Sequence, residues 1–257
     1  MEASFLGVPG VEAWQFAALT GATFCTTLIG LLSGAAGGLM LLALMALIFP
    51  PAIVIPLHTL VQLGVGSSRA FFLRKYMVMK FLPPFAVGAA IGAAAGANIF
   101  VSLSVGTLQG ILAVFILFAT WVPNMVRVGT ERGRFAVLGF AATFLGVFVS
   151  ATGTMVTPVL AASVEDRREY AGTFGAMMSI VHIAKIVAFG VIGFSIAAYV
   201  PLVLAMIGSA ALANFIGRHY LDQMKEGTFR LILRILLTVL ALRLMWVAAR
   251  ELELLPL

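Results

Sequence analysis

Ten apolar runs joined by short loops constrain this chain more than any other feature. They cover residues 13–33, 39–49, 53–72, 79–101, 105–122, 135–150, 155–163, 170–194, 196–216 and 229–247. A helix of about 20 apolar residues crosses the hydrocarbon of a bilayer, and one of about 10 does not. Only 10% of the residues are charged and 62% are hydrophobic, with a mean hydropathy of +1.11. A soluble domain carries about 25% charged residues. This chain therefore cannot cover a water-facing surface, but it can cover a lipid-facing one. Its 26 glycines suit close helix packing in lipid.

The formal charge of +6 does not point to nucleic acid. Lys and Arg sit in short loops between apolar runs, where they orient a membrane protein. The single cysteine, Cys25, lies within an apolar run, which rules out a disulfide framework or a Cys-based metal site. The stretch before Trp14 has two acids and no Lys or Arg. It lacks the basic start of a signal peptide, so the first apolar run is expected to be retained.

The two short runs, 39–49 and 155–163, each follow a break of small residues. The breaks read Ser33-Gly34-Ala35-Ala36-Gly37-Gly38 and Ser150-Ala151-Thr152-Gly153-Thr154. Each pattern predicts a discontinuous helix or a re-entrant hairpin. The chain also repeats itself at a constant offset of 116 residues. Gly30 aligns with Gly146, Gly37 with Gly153, Gly92 with Gly208, and Asn98 with Asn214. Phe24 aligns with Phe140, Thr27 with Thr143, and Arg69 falls opposite Lys185.

Lys and Arg cluster at 69–80, 127–134, 167–168 and 218–234. The positive-inside rule puts all four clusters in the cytoplasm. That works only if 13–49 and 135–163 each leave the membrane on the side they entered, giving one hairpin and three crossings per half. An odd number of crossings inverts one half relative to the other, a common build of secondary transporters. If each broken segment is instead one kinked span, eight ordinary helices result, and the clusters at 167–168 and 218–234 fall outside.

Three polar features lie within the apolar runs. At the breaks, interrupted helices free backbone N–H groups that attract anions. Gly34, Gly37, Gly38 and Gly153 would let a substrate approach the backbone, and Ser33, Ser150, Thr152 and Thr154 would add hydroxyls; tight helix packing is the competing reading. The second feature is Ser179, His182 and Lys185, spaced by three and so on one helical face. No Asp or Glu in a span is placed to pair with Lys185, which makes an anionic ligand its natural counter-charge. The alternative is that Lys185 snorkels to the headgroups. The third is His58, Gln62, Gly66 and Arg69, a polar face on an apolar helix. Arg69 itself is equally explained by a positive-inside role, and Asn98 and Asn214 by helix-to-helix hydrogen bonds.

The break at Gly30-Leu-Leu-Ser-Gly-Ala-Ala-Gly-Gly38, its second copy at Gly146-Val-Phe-Val-Ser-Ala-Thr-Gly-Thr-Met-Val-Thr-Pro158, and the polar helix after each resemble the TauE/SafE sulfite-exporter family, which includes toluenesulfonate uptake permeases. The resemblance covers nearly the whole chain. The first copy departs from it by lacking the proline that Pro158 keeps in the second. The resemblance implies transport of sulfite, sulfonates or related organic anions, coupled to an ion gradient.

Two other classes compete. Gly66-Ser67-Ser68-Arg69 satisfies the short pattern of a rhomboid intramembrane serine protease, with His182 as a base. An anion channel would need a continuous pore. No P-loop, zinc motif or nucleophile elbow is present. The expectation is an all-α polytopic membrane protein with about eight transmembrane segments. It forms two inverted repeats, residues 1–126 and 127–257, each opening with a broken helix. It works as an inner-membrane anion transporter rather than an enzyme. Its partners are the lipid bilayer and a small anionic substrate, with no nucleic acid, no metal and no cofactor; a homodimer is admitted.

Overall fold

The computed structural model describes residues 4–33, 36–100, 131–149, 153–191 and 197–221, with isolated positions between 104 and 117 and between 238 and 252. The runs at 105–122 and 229–247 therefore lie largely outside the described residues. Among the described residues, eight α-helices follow in order: α1 (Ala13–Ser33), α2 (Ala36–Met45), α3 (Pro51–Phe72), α4 (Leu82–Phe100), α5 (Glu131–Val149), α6 (Gly153–Ala161), α7 (Arg167–Val191) and α8 (Val200–Gly217). Segments 79–99, 167–188 and 197–217 are long and apolar enough to cross a membrane. The fold is that of an all-α polytopic membrane protein. One short β-hairpin, Ser4–Phe5 with Val8–Pro9, precedes α1 and is an addition to the all-α expectation.

The helix bounds repeat at the offset read from the sequence. Moved by 116 residues, α1 ends at 149, where α5 ends, and α2 becomes 152–161 against 153–161 for α6. In the same way α3 would start at 167, where α7 starts, and α4 would start at 198 against 200 for α8. Helix starts follow local chemistry. Pro50 and Pro51 open α3, where a missing N–H costs nothing. Asp166 caps α7, its Oδ1 accepting from the amides of Arg168 (2.7 Å) and Glu169 (2.9 Å).

α3 and α7 form the centre, with α8 beside α3 and α4 beside α7; α1 packs on α8, and α4 on α5. Two apolar cores result. One joins residues of α1, α2 and α3 with Leu202, Val203, Met206 and Ala210 of α8. The other joins α5, α6 and α7 with Phe85 and Ala89 of α4. Val147 and Phe148 at the end of α5 join the first core as well, so each core draws on helices of both halves and neither half forms its core alone.

Small residues bring backbones together. A methyl added to Gly88, Gly92 or Gly139 would fall on the carbonyl oxygen of Ala136, Phe140 or Phe85 across the α4–α5 contact. Such contacts maximise dispersion where no hydrophobic force drives helices together in lipid. The outward stripes are apolar: Val87 and Ile91 on α4, Ile183 and Val187 on α7, and Leu204 and Leu212 on α8. Asn214 ties α8 to α3, its Nδ2 donating to the Val65 carbonyl and to Ser68 Oγ, both at 2.9 Å. Asn98, its repeat counterpart, instead donates to Ala94 O in its own helix at 2.8 Å. Among the described residues, therefore, Asn214 bonds helix to helix and Asn98 does not.

Candidate functional site

The site is built where the two short helices meet the central pair. The chain reverses between α1 and α2. Gly37 lies against Gly30 and the Thr26 carbonyl, whereas in one continuous helix Thr26 and Gly37 would be about 16 Å apart. α2 thus folds back along α1, as a re-entrant hairpin does. Its 10 residues cover about 15 Å, half the hydrocarbon thickness. α2 and α6 also touch each other.

α3 and α7 run antiparallel. Gly66 and Gly175 meet reciprocally, a methyl on either sitting 2.9 Å from the carbonyl oxygen of the other. Ser67 Oγ lies 3.2 Å from Ser179 Oγ, and the Val78 amide donates to Thr173 Oγ1 at 2.9 Å. Residue numbers rise along α3 as they fall along α7. His58, Gly66 and Arg69 are buried and Gln62 is half-buried, so the polar face of α3 points inward.

His58 Nε2–H donates to the Gly38 carbonyl at 3.0 Å. Gln62 Nε2 lies 3.2 Å from the same His58 nitrogen. A neutral ring that donates from Nε2 has no lone pair there, so the Gln62 N–H groups are left to other acceptors. A methyl on Gly38 would run into the Gln62 amide, so Gly38 is bare where Gln62 approaches. His182 and Lys185 are also buried, and His182 lies within electrostatic range of both Lys185 and His58. His182 Nδ1 has no hydrogen-bond partner among the described residues.

The sequence-derived candidates sort as follows. Gly38, His58, Gln62, His182 and Lys185 gather around the α3–α7 crossing. Lys185 is enclosed by protein at 0% exposure, so it does not run along the outer surface toward the headgroups. Gly37 is buried against α1, so its missing side chain accommodates a backbone. Gly153 is buried at the first position of α6, Thr154 follows it, and Ser33 is the last residue of α1. Gly34, Ser150 and Thr152 lie outside the described residues.

Three buried residues read from the sequence as repeat matches, and Arg69 also as a positive-inside residue, were not among the candidate site residues. Arg69 is 3% exposed, and its Nε has no hydrogen-bond partner among the described residues. Its guanidinium sits 5.7 Å from the Phe174 ring centre. Thr27 and Thr143, repeat counterparts, are both buried with Oγ1 unpartnered among the described residues. The signal for all three was the 116-residue offset. It aligns Thr27 with Thr143, and Arg69 with a lysine already singled out.

The profile of the Sulfite exporter TauE/SafE family matches residues 19–244. Among curated proteins and among solved structures, none matches the chain. The family match takes in both breaks and every described helix, apart from the first six residues of α1. The chain therefore belongs to the Sulfite exporter TauE/SafE family of membrane transporters.

Proposed function

We propose that this chain is a multi-pass secondary transporter of the inner membrane that moves a small anion of the sulfite or sulfonate class, driven by an ion gradient. The observation that carries the reading is the buried cluster of His58, Gln62, His182 and Lys185 beside two half-length helices that touch each other. The first-turn amides of α2 and α6 have no partner within their helices. Together with the Gln62 N–H groups and the Lys185 ammonium they form a donor set suited to an oxyanion. A sulfonate stays ionised and cannot carry a proton itself. Proton coupling would run through His58 or His182, the two imidazoles buried in this cluster. The antiparallel crossing of α3 and α7, which correspond at the 116-residue offset, supports the inverted arrangement, and the positive-inside rule then puts the N-terminus outside.

The protease alternative loses its dyad. Ser68 Oγ donates to Gly64 O at 2.8 Å and accepts from Asn214, while Ser67 Oγ faces Ser179. No base is among these partners. The deciding experiment is counterflow in liposomes: preloaded sulfite should accelerate uptake of labelled sulfite, and uptake should saturate. Linear flux without counterflow would support a channel instead, and no flux of sulfite or of any sulfonate would refute the assignment.

A further inference from the structure

The mechanism above leaves Arg69 unused. The residue is buried at 3% exposure with an unpartnered Nε, and the ion pair found among the described residues is a surface one, Lys80 with Glu131 at 2.9 Å. Holding a guanidinium out of water without a counter-charge costs several kcal/mol. A positive-inside role gives no reason to bury it. Its surroundings do give one. A methyl group placed on Gly30 would lie 3.5 Å from Arg69 Nη2 and 3.6 Å from the Gly37 amide nitrogen. The guanidinium and the first turn of α2 thus converge on one point, and Gly30 keeps that point clear of a side chain. α2 starts at Ala36, so the amides of its first turn have no acceptor within the helix.

We propose that Arg69 binds the anion at the amino end of α2, in a cradle completed by the Gly37 amide and the bare Cα of Gly30. The inference rests on the transport reading above and adds a second cationic contact to it. The repeat supplies its counterpart, because Gly30, Gly37 and Arg69 become Gly146, Gly153 and Lys185 at the 116-residue offset. In the first half a half-length helix begins beside a buried cation carried on the next long helix, and the offset puts the same kinds of residue at the matching positions of the second. The two cations stand at different levels of the α3–α7 crossing. Arg69 packs on Phe174 and Gly175, ten residues or more before Lys185, or about 15 Å along α7. Because α3 and α7 run antiparallel, a matching cradle at Lys185 would lie toward the opposite end of the crossing, and an anion would pass from one to the other.

Calorimetric titration of the detergent-purified full chain with sulfite tests this. Arg69→Gln should weaken binding by roughly 10- to 100-fold, and Arg69→Lys should recover part of the loss. Gly30→Ala keeps the charge but occupies the cradle, and it should also weaken binding. Lys80→Gln, at an exposed ion pair, should bind as the parent does. Absence of binding to the parent protein would overturn the transport reading and this inference with it. Binding by the parent with unchanged affinity in Arg69→Gln would overturn the inference alone. If Arg69→Gln fails to fold, Gly30→Ala decides: parental affinity in that variant overturns the cradle.

Discussion

Replacing Gly37 by alanine is the most exacting test of the broken helix. The added methyl would fall on the Thr26 carbonyl oxygen and lie 2.6 Å from the Gly30 nitrogen and 2.7 Å from the Gly30 Cα. All three are backbone atoms of α1, so no side chain can swing away. Restoring ordinary contact requires α2 to withdraw by about 1.5 Å. That movement takes the Gly38 carbonyl, now 3.0 Å from His58 Nε2, out of hydrogen-bonding range. Overpacking of this kind costs about 1–3 kcal/mol, which lowers the population with α2 seated by about 5- to 150-fold. Sulfite uptake into liposomes should fall by a factor in that range, with reduced thermal stability of the purified protein. Gly208→Ala is the control, since nothing lies within 4 Å of its added methyl. Parental uptake and stability in Gly37→Ala would refute the seating of α2 against α1.

Lys185→Ala should weaken anion binding by roughly 10- to 100-fold, and Lys185→Arg should restore part of it, both read by calorimetry; unchanged affinity in Lys185→Ala would leave the helix ends as the anion contacts. Thiol labelling in a Cys25-free background should find positions 129 and 225 cytoplasmic and the N-terminus outside; outside labelling at 225 with inside labelling at 167 would sink the inverted arrangement. Asn214→Ala should destabilise the protein by about 1–3 kcal/mol, since Val65 O and Ser68 lose their shared donor inside the packed α3–α8 contact. Asn98→Ala should leave thermal stability nearly unchanged, and equal losses in both Asn variants would contradict that asymmetry.

Among the described residues, the apolar runs located the helices, and nearly their ends. The 13–33 run is α1 to the residue, and 53–72 differs from α3 only by two residues at its start. Hydropathy succeeds here because a segment in lipid must satisfy its own backbone hydrogen bonds, making helix formation a local matter. It failed at polar helix starts. Glu131, Arg132 and Arg134 are helical in α5, and Asp166 begins α7 ahead of the apolar run. The repeat was legible too, because Gly and Asn at a constant spacing need no knowledge of packing.

Which face of each helix meets which neighbour was not legible. In water an apolar stripe marks the core, but in lipid the outside is as apolar as the inside. On α8, exposed Leu204 and buried Met206 are two residues apart and equally acceptable to hydropathy. Only the packing of the helices settled that α4 and α8 cross into the opposite halves, that Gly37 seats a backbone, and that Arg69 turns inward toward Gly30 instead of outward to water. A charged residue near a helix end reads the same in sequence whether it faces water or a cradle. The difference lies in the neighbouring helices that enclose it, which come from segments up to about a hundred residues away: Phe174 and Gly175 on one side, Gly30 and Gly37 on the other.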